Sequence, residues 1–405
     1  MTINNEHNKL NVPNLRFPEF QGEWKELGLS ELLDFKNGLN PKPDKFGKGI
    51  KFISVMDILN NAVITYDCIK ASVDVTEKEL SDFSVEKGDI LFQRSSETLE
   101  DVGRANVYMD DNTAVFGGFV IRGKKKGEYD PQYFNYLLRS PFARKRIIPM
   151  GTGAQHFNIG QEGLSKVKLH FANIEEQKKI GKMLSLLDER IATQNKIIDK
   201  LQSLIKGINQ RVFKNSGNNY KLGEICEIRS GYSGSQLLSK KGLKVSRIET
   251  ISGHKVNLER VGYVAPFESS ENYKLQVGDI LFSNINSVEY IGNTAFIDKD
   301  YDLYHGMNLL RLTPNHMVVI PFYLYLLLNT NRMLNRFKTI CNKAVSQASI
   351  NQTELGKTVI QIPPINTQEQ ICELYQALYT KLETESHTKS LFQNQKQYLL
   401  RQMFI

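Results

Sequence analysis

The chain repeats itself, and the repeat constrains the fold more than any single motif. Gly88-Asp89-Ile90-Leu91-Phe92 returns as Gly278-Asp279-Ile280-Leu281-Phe282, 190 residues later. The flanks agree. Trp24-Lys25-Glu26-Leu27-Gly28 precedes an apolar run ending at Gly38, as Tyr220-Lys221-Leu222-Gly223 precedes one ending at Gly231. Ser54 to Ile58 aligns with Ser246 to Thr250, Gly103-Arg104-Ala105 with Gly292-Asn293-Thr294, and Pro131 to Leu138 with Pro321 to Leu328. Gln155 to Leu164 parallels Gln347 to Leu355, and Glu176-Gln177 parallels Glu369-Gln370. A unit of this length is too long for a solenoid repeat and suits a whole domain plus a connector.

Within each copy the hydrophobic period changes in order. Short β-branched and aromatic runs (Phe52 to Val55, Ile90 to Gln93, Ala114 to Ile121) bounded by Gly, Asp and Asn predict strands. Pro131 to Ile147 predicts a helix with Pro at its start. Beyond Phe171 the pattern is purely helical: Ile180, Leu184, Leu187, Ile191, Gln194, Ile198, Leu201, Ile205, Ile208 and Val212 follow four and three apart, a heptad seam. A helix from Glu175 to Phe213 would be about 60 Å long and needs a long partner. The second copy offers Gln368 to Phe404, with Ile371, Leu374, Leu378, Leu382, Phe392, Leu399 and Met403 as a poorer seam interrupted by Glu385 and Lys389.

Connectivity then orients the helices. One leads from the first globule into the second and the other leaves the second globule, so equivalent copies require antiparallel helices. The expectation is an α+β chain: two similar mixed α/β domains related by a pseudo-two-fold axis and joined by two long antiparallel coiled-coil helices. The expected boundaries are a tail over 1–22, a domain over 23–170, a spacer helix over 171–216, a domain over 217–364 and a spacer helix over 365–405.

Composition bears on the partner. Lys and Arg number 52 against 44 Asp and Glu, a net charge of +8, which favours an anionic partner without demanding one. The polar start and the shortness of the most apolar stretch, Met317 to Leu328, predict a soluble, cytoplasmic protein. Cys68, Cys226, Cys341 and Cys372 lie far apart with no metal-binding spacing, so neither a zinc site nor a disulfide framework is expected.

Catalytic motifs are missing from the sequence. Gly356-Lys357-Thr358 resembles a phosphate loop, but Asn351 stands where its first glycine belongs. Gly-x-Ser-x-Gly and His-Glu-x-x-His do not occur, and Pro363-Pro364 lacks the aromatic partner of an amino-methyltransferase loop. The polar residues suit polyanion contact instead. After the repeated strand come Arg94-Ser95-Ser96 in one copy and Ser283-Asn284-x-Asn286 in the other. Arg, Asn and Gln can bond base edges bidentately, whereas Ser and Lys anchor phosphates. Arg104, the loop residues Gln155, His156 and Asn158, the pair Ser246-Arg247, and Lys343, Ser346 and Gln347 complete the candidates. Gln155 and Gln347 are expected at equivalent points. Lys124 to Lys126 reads better as a solvated hairpin tip.

Taken together, Leu15-Arg16-Phe17-Pro18-Glu19-Phe20, the repeated Gly-Asp-Ile-Leu-Phe, the Gln-containing loop and Glu176-Gln177 followed by Leu187-Asp188-Glu189-Arg190-Ile191 resemble the DNA specificity subunits of type I restriction-modification systems. The second helix does not reproduce Leu-Asp-x-x-Ile. The resemblance implies two target-recognition domains, each reading half of a split sequence in double-stranded DNA, with the helices as spacer. It implies two methyltransferase subunits docked on those helices and two motor-nuclease subunits for restriction. S-adenosylmethionine, ATP and Mg would belong to those partners and no cofactor to this chain, which would be non-catalytic. The rival readings are a self-contained DNA-modifying enzyme and a coiled-coil protein-interaction scaffold.

Overall fold

The computed structural model describes residues 11–213, 217–343 and 347–405. It divides into two compact units, one of residues up to 196 with 386–405, the other of residues 197–385. Each unit therefore holds one globule, part of one long helix and part of the other.

The first globule is built on a four-stranded antiparallel sheet in the order Leu33–Asn37, Val120–Lys125, Ile90–Gln93, Ala105–Val107. The second repeats that order with Cys226–Ser230, Leu310–Pro314, Ile280–Phe282 and Thr294–Phe296. A second pairing also recurs, Lys25–Gly28 with Lys168–Phe171 and Asn218–Lys221 with Val359–Ile362. The globules differ at the side. The first carries a four-stranded mixed sheet in which Phe46–Ile53 runs parallel to Ala114–Phe116, where the second has a two-stranded ladder, Leu243–Val245 with Gly262–Val264.

The geometry explains the repeated pentapeptide. Gly88 and Gly278 sit at φ of 96° and 98°, the left-handed region that a Cβ disfavours. Asp89 and Asp279 are buried and take backbone N–H groups at 3.0 Å (Glu86) and 2.8 Å (Gln276), closing the turn that feeds the strand. Burial holds the Asp89 carboxyl above the usual range, and the backbone N–H groups of Glu86 and Lys125 oppose it. Ile, Leu and Phe are buried in both copies because the strand is covered on both faces.

The helix expected over Pro131 to Ile147 is two helices, Pro131–Arg139 and Pro141–Ile147. Pro141 has no N–H and pushes Ser140 out of helical geometry, and the Ser140 hydroxyl then caps the second segment through Ala143 N at 3.2 Å. Thr330 makes the corresponding break between Pro321–Leu328 and Asn331–Ile340.

The long helices span Ile174–Val212 and Ile365–Gln402. In the first unit Ile180 and Leu184 share a core with Leu400, Met403 and Phe404, and Lys396 bonds Asp188 at 2.5 Å. In the second, Ile205 packs with Ile371, Cys372 and Tyr375, whose hydroxyl donates to Asn209. Residue 188 meets 396 and residue 209 meets 375, so the helices run antiparallel. Along the first helix Ile180, Leu184, Leu187, Gln194 and Ile205 are buried, while Ile191, Ile198, Leu201 and Ile208 are half-buried. One seam assignment on the second helix is corrected: Leu374 is exposed and Tyr375 is buried in its place, its ring 5.9 Å from that of Phe213.

A further correction concerns the helix starts. Gln177 accepts from Asp130 N (3.0 Å) and donates to Ala172 O (2.8 Å). Gln368, not Gln370, does the same in the second unit, accepting from Ile320 N (2.8 Å) and donating to Pro363 O (2.8 Å). The true counterpart of Glu176-Gln177 is thus Thr367-Gln368, and Glu369 is exposed. Glu176 is specific to the first unit, where it is fully buried and takes a two-pronged bond from Arg16, both contacts 2.8 Å.

Candidate nucleic-acid interface

In the first unit the chain leaves the buried strand Ile90–Gln93 at Arg94, and Ser95–Ser96 pairs with Phe157–Asn158. Asn158 closes a narrow loop through reciprocal backbone bonds with Thr152, 2.9 and 2.8 Å. Gly153, Ala154, Gln155 and His156 project from its exposed tip. The Arg94 carbonyl accepts from Ile159 N at 2.9 Å, fastening loop to turn, and the Ser95 hydroxyl donates to the Asn158 side chain. Arg104 precedes the neighbouring strand, its carbonyl accepting from Gln93 N at 2.7 Å. Arg94, Ser95, Ser96, Arg104, Gln155, His156 and Asn158 therefore meet at one end of the sheet.

The second unit builds the same object. Ile285–Asn286 pairs with Ala348–Ser349, which pairs with Asn342–Lys343, and the Asn284 carbonyl accepts from Ile350 N at 2.9 Å. Asn284, Asn286, Lys343 and Gln347 belong to this end, the last two exposed. Ser346 falls outside the described residues. The ladder changes one pairing: Phe157 opposes Ser96 and Ala348 opposes Asn286, so Gln347 stands where His156 does rather than where Gln155 does.

Two candidates are withdrawn from the surface. Ser283 is fully buried and its hydroxyl accepts from the Asn286 amide at 3.1 Å. Ser246 is fully buried and accepts from Gly306 N at 3.0 Å. Ser246 holds a backbone N–H and Ser283 holds the Asn286 side chain. The helix-cap geometry also makes Arg247, not Ser246, the counterpart of Ser54: Ser54 N bonds Asp57 and Arg247 N bonds Thr250, each three residues on. Arg247 is exposed beside Glu249, 3.4 Å away. Lys124 and Lys126 are paired with Glu86 and Asp34 at 3.3 and 3.0 Å.

The first interface has a cationic backing from the basic helix that precedes its loop. Burial, with the like charge of Arg104 behind it, pushes the Arg144 guanidinium down to about 10, still charged at neutral pH. Arg144 donates to the carbonyls of Glu100 and Val102 at 2.8 and 2.6 Å. Arg104 pairs with Asp101 at 2.6 Å. Thr152 acts through a backbone bond, which no residue type announces. No helix among the described residues is long and apolar enough to cross a membrane.

Two copies of one loop-on-turn construction, each bearing different side chains, are what a pair of independent readers requires. The sequence matches the type I restriction modification DNA specificity domain twice, over residues 21–203 and 216–391. The chain belongs to the type I restriction-modification DNA specificity family. The putative MjaX specificity subunit of Methanocaldococcus jannaschii is 38% identical over 188 residues, 45% of this chain and 44% of that protein. The MjaVIII specificity subunit of the same organism is 22% identical over 432 residues, covering 99% and 96%. The fold is shared with the type I restriction-modification S subunit from M. genitalium, with a TM-score of 0.59 at 16% identity over 97% of this chain and 99% of that one. Both specificity domains here have the mixed α/β fold and the long helices expected from the sequence.

Proposed function

We propose that this specificity chain is the non-catalytic DNA reader and assembly scaffold of a type I restriction-modification complex. Each globule reads one half of a bipartite target through its loop-on-turn end, and the helix pair sets the gap and docks two methyltransferase subunits. Two motor-nuclease subunits join for restriction. S-adenosylmethionine, ATP and Mg serve chemistry on those partners, and the complex works in the cytoplasm.

The observation that carries this reading is the recurrence of Arg94 O with Ile159 N as Asn284 O with Ile350 N, both 2.9 Å, under side chains that differ between copies. A duplicated frame with divergent tips suits two half-sites of unlike sequence. A solved chain of similar fold, with a TM-score of 0.59, comes from work on complex assembly and conformational transition of the type I R-M system, in line with an assembly role. Half-sites alone discriminate weakly, since a mismatched pair costs about 1–3 kcal/mol. Joining two readers makes the second engagement intramolecular, so specificity multiplies when the spacing fits.

The test is selection from a random duplex library by the full chain with its methyltransferase subunits. A two-part sequence with fixed gap is expected. Methylation or cleavage by the chain alone, or enrichment of one unbroken short site, would overturn the assignment.

A further inference from the structure

The two globules share a four-stranded frame yet are opposite in character at one turn. In the first unit Gly117-Gly118-Phe119 leaves the strand Ala114–Phe116, and Phe119 is 68% exposed. Across a cleft of about 400 Å³ stand Met56, 60% exposed, and Phe46, 42% exposed, with Phe52, Val55 and Pro41 between them. In the second unit the same pairings set Asn308 in place of Phe119 and Glu249 in place of Met56: Leu39 bridges Gly117 as Tyr232 bridges Gly306, and Asp57 caps Ser54 as Thr250 caps Arg247.

The aromatic turn is continuous with the proposed reading end. Arg94 N donates to the Phe119 carbonyl at 2.9 Å, and the Arg94 guanidinium donates to the Gly118 carbonyl at 3.3 Å. The same residue's carbonyl holds the Gln155 loop through Ile159. Arg94 therefore stands between Phe119 on one side and Ser95, Asn158 and the loop on the other. One residue thus anchors both the Phe119 turn and the loop. On the cleft's rim Lys42 is exposed and in no ion pair among the described residues, a cation suited to a phosphate backbone.

We propose that Phe119, supported by Met56, is a specificity-determining contact of the first half-site, reading thymine through its C5-methyl group. This rests on the DNA-reading function above and deepens it. The methyl is the one apolar feature of the major-groove code, and an aromatic or aliphatic side chain recognises it by contact alone. A ring left in water beside the candidate residue Arg94 gains by burial against such a group. The second unit, with Asn308 and Glu249 at these positions, lacks the device, so thymine reading of this kind is confined to one half.

The experiment starts from the two-part duplex enriched from a random library by the full chain with its methyltransferase subunits. Each thymine is replaced by deoxyuridine, which removes only the methyl, and binding is compared for wild type, Phe119→Ala and Met56→Ala. Wild type is expected to lose roughly fourfold affinity at one or two thymines of a single half-site, about what one buried methyl is worth. Phe119→Ala is expected to lose the same factor on the thymine duplex and to be indifferent to deoxyuridine there. Equal weakening by Phe119→Ala on thymine and deoxyuridine duplexes would overturn the proposal and mark a wedge between base steps instead. No effect of Phe119→Ala on DNA, or a first half-site without thymine on either strand, would overturn it too. Failure to enrich a two-part site at all would strike the underlying function, a separate outcome.

Discussion

Replacing Gln177 with alanine tests the structural equivalence of the two helix starts. Its amide is buried and spans from the N-terminus of Pro131–Arg139 to the end of strand Lys168–Phe171. Alanine would leave Asp130 N–H and Ala172 C=O without partners. Each stranded buried group costs about 1–3 kcal/mol, so the loss should be about 2–6 kcal/mol. Gln368→Ala strands Ile320 N–H and the carbonyls of Pro363 and Val318 and should cost at least as much. Glu369→Ala, at an exposed position, should stay within about 0.5 kcal/mol of wild type. The assay is urea unfolding followed by far-UV circular dichroism and by fluorescence of Trp24, the chain's only tryptophan. Trp24 packs 6.1 Å from Tyr133 and 6.4 Å from Phe404 and so reports the first unit. With a urea dependence of about 2 kcal/mol per molar, Gln177→Ala should lower the Trp24 midpoint by about 1 M or more. A shift below about 0.2 M, or a Glu369→Ala loss matching that of Gln368→Ala, would refute the reasoning.

Arg16→Ala should cost about 3–5 kcal/mol in the same fluorescence assay, because it strands the buried Glu176 carboxylate; the double change with Glu176→Gln should cost less than the single one. His305 is buried with Nε2 3.0 Å from Leu309 O, and burial pushes its pKa down to about 4. The unfolded chain takes up that proton near pH 6.5 and the folded chain only near 4. Stability should therefore fall as pH drops through this window, by up to about 3 kcal/mol, and level off below it. In His305→Gln the acid dependence measured by urea titration at several pH values should flatten. His156→Ala and Gln347→Ala should each relax base preference in one half-site only, read by library selection; uniform loss on all sequences would make them phosphate contacts. Inserting one heptad into both long helices adds about 10 Å and should change the preferred gap by up to about three base pairs in the same selection.

Much of the architecture was legible in the chain because its signals are local and doubled. The Gly-Asp-Ile-Leu-Phe repeat marks a left-handed glycine, a turn-closing carboxylate and a two-sided buried strand, all within five residues. The first helix's seam is legible because burial recurs every three or four residues along one face. The second helix's seam was legible except at Leu374, because Tyr375 lies off the leucine pattern and is buried by what Phe213 and Asn209 offer it.

The candidate site divides the same way. Recurrence marked Arg94 to Ser96 and Gln155 to Asn158 as candidates, but which backbone groups fasten them to one another it did not show. Ser246 and Ser283 look like surface donors in sequence, and only the fold shows their hydroxyls holding loops from inside. Phe119 was hidden within an apolar run that predicts a buried strand, and its exposure comes from the Gly117-Gly118 turn that ends that strand.

Duplication, the mixed strand and helix character of each copy and the antiparallel demand on the long helices follow from the amino-acid order alone, since they depend on periodicity and connectivity that any compact fold of this chain must honour. Register does not. The one- and two-residue offsets that pair Gln347 with His156 and Gln368 with Gln177 are set by ladders and buried amides joining segments far apart in the chain, where a slip of one position exchanges inside for outside.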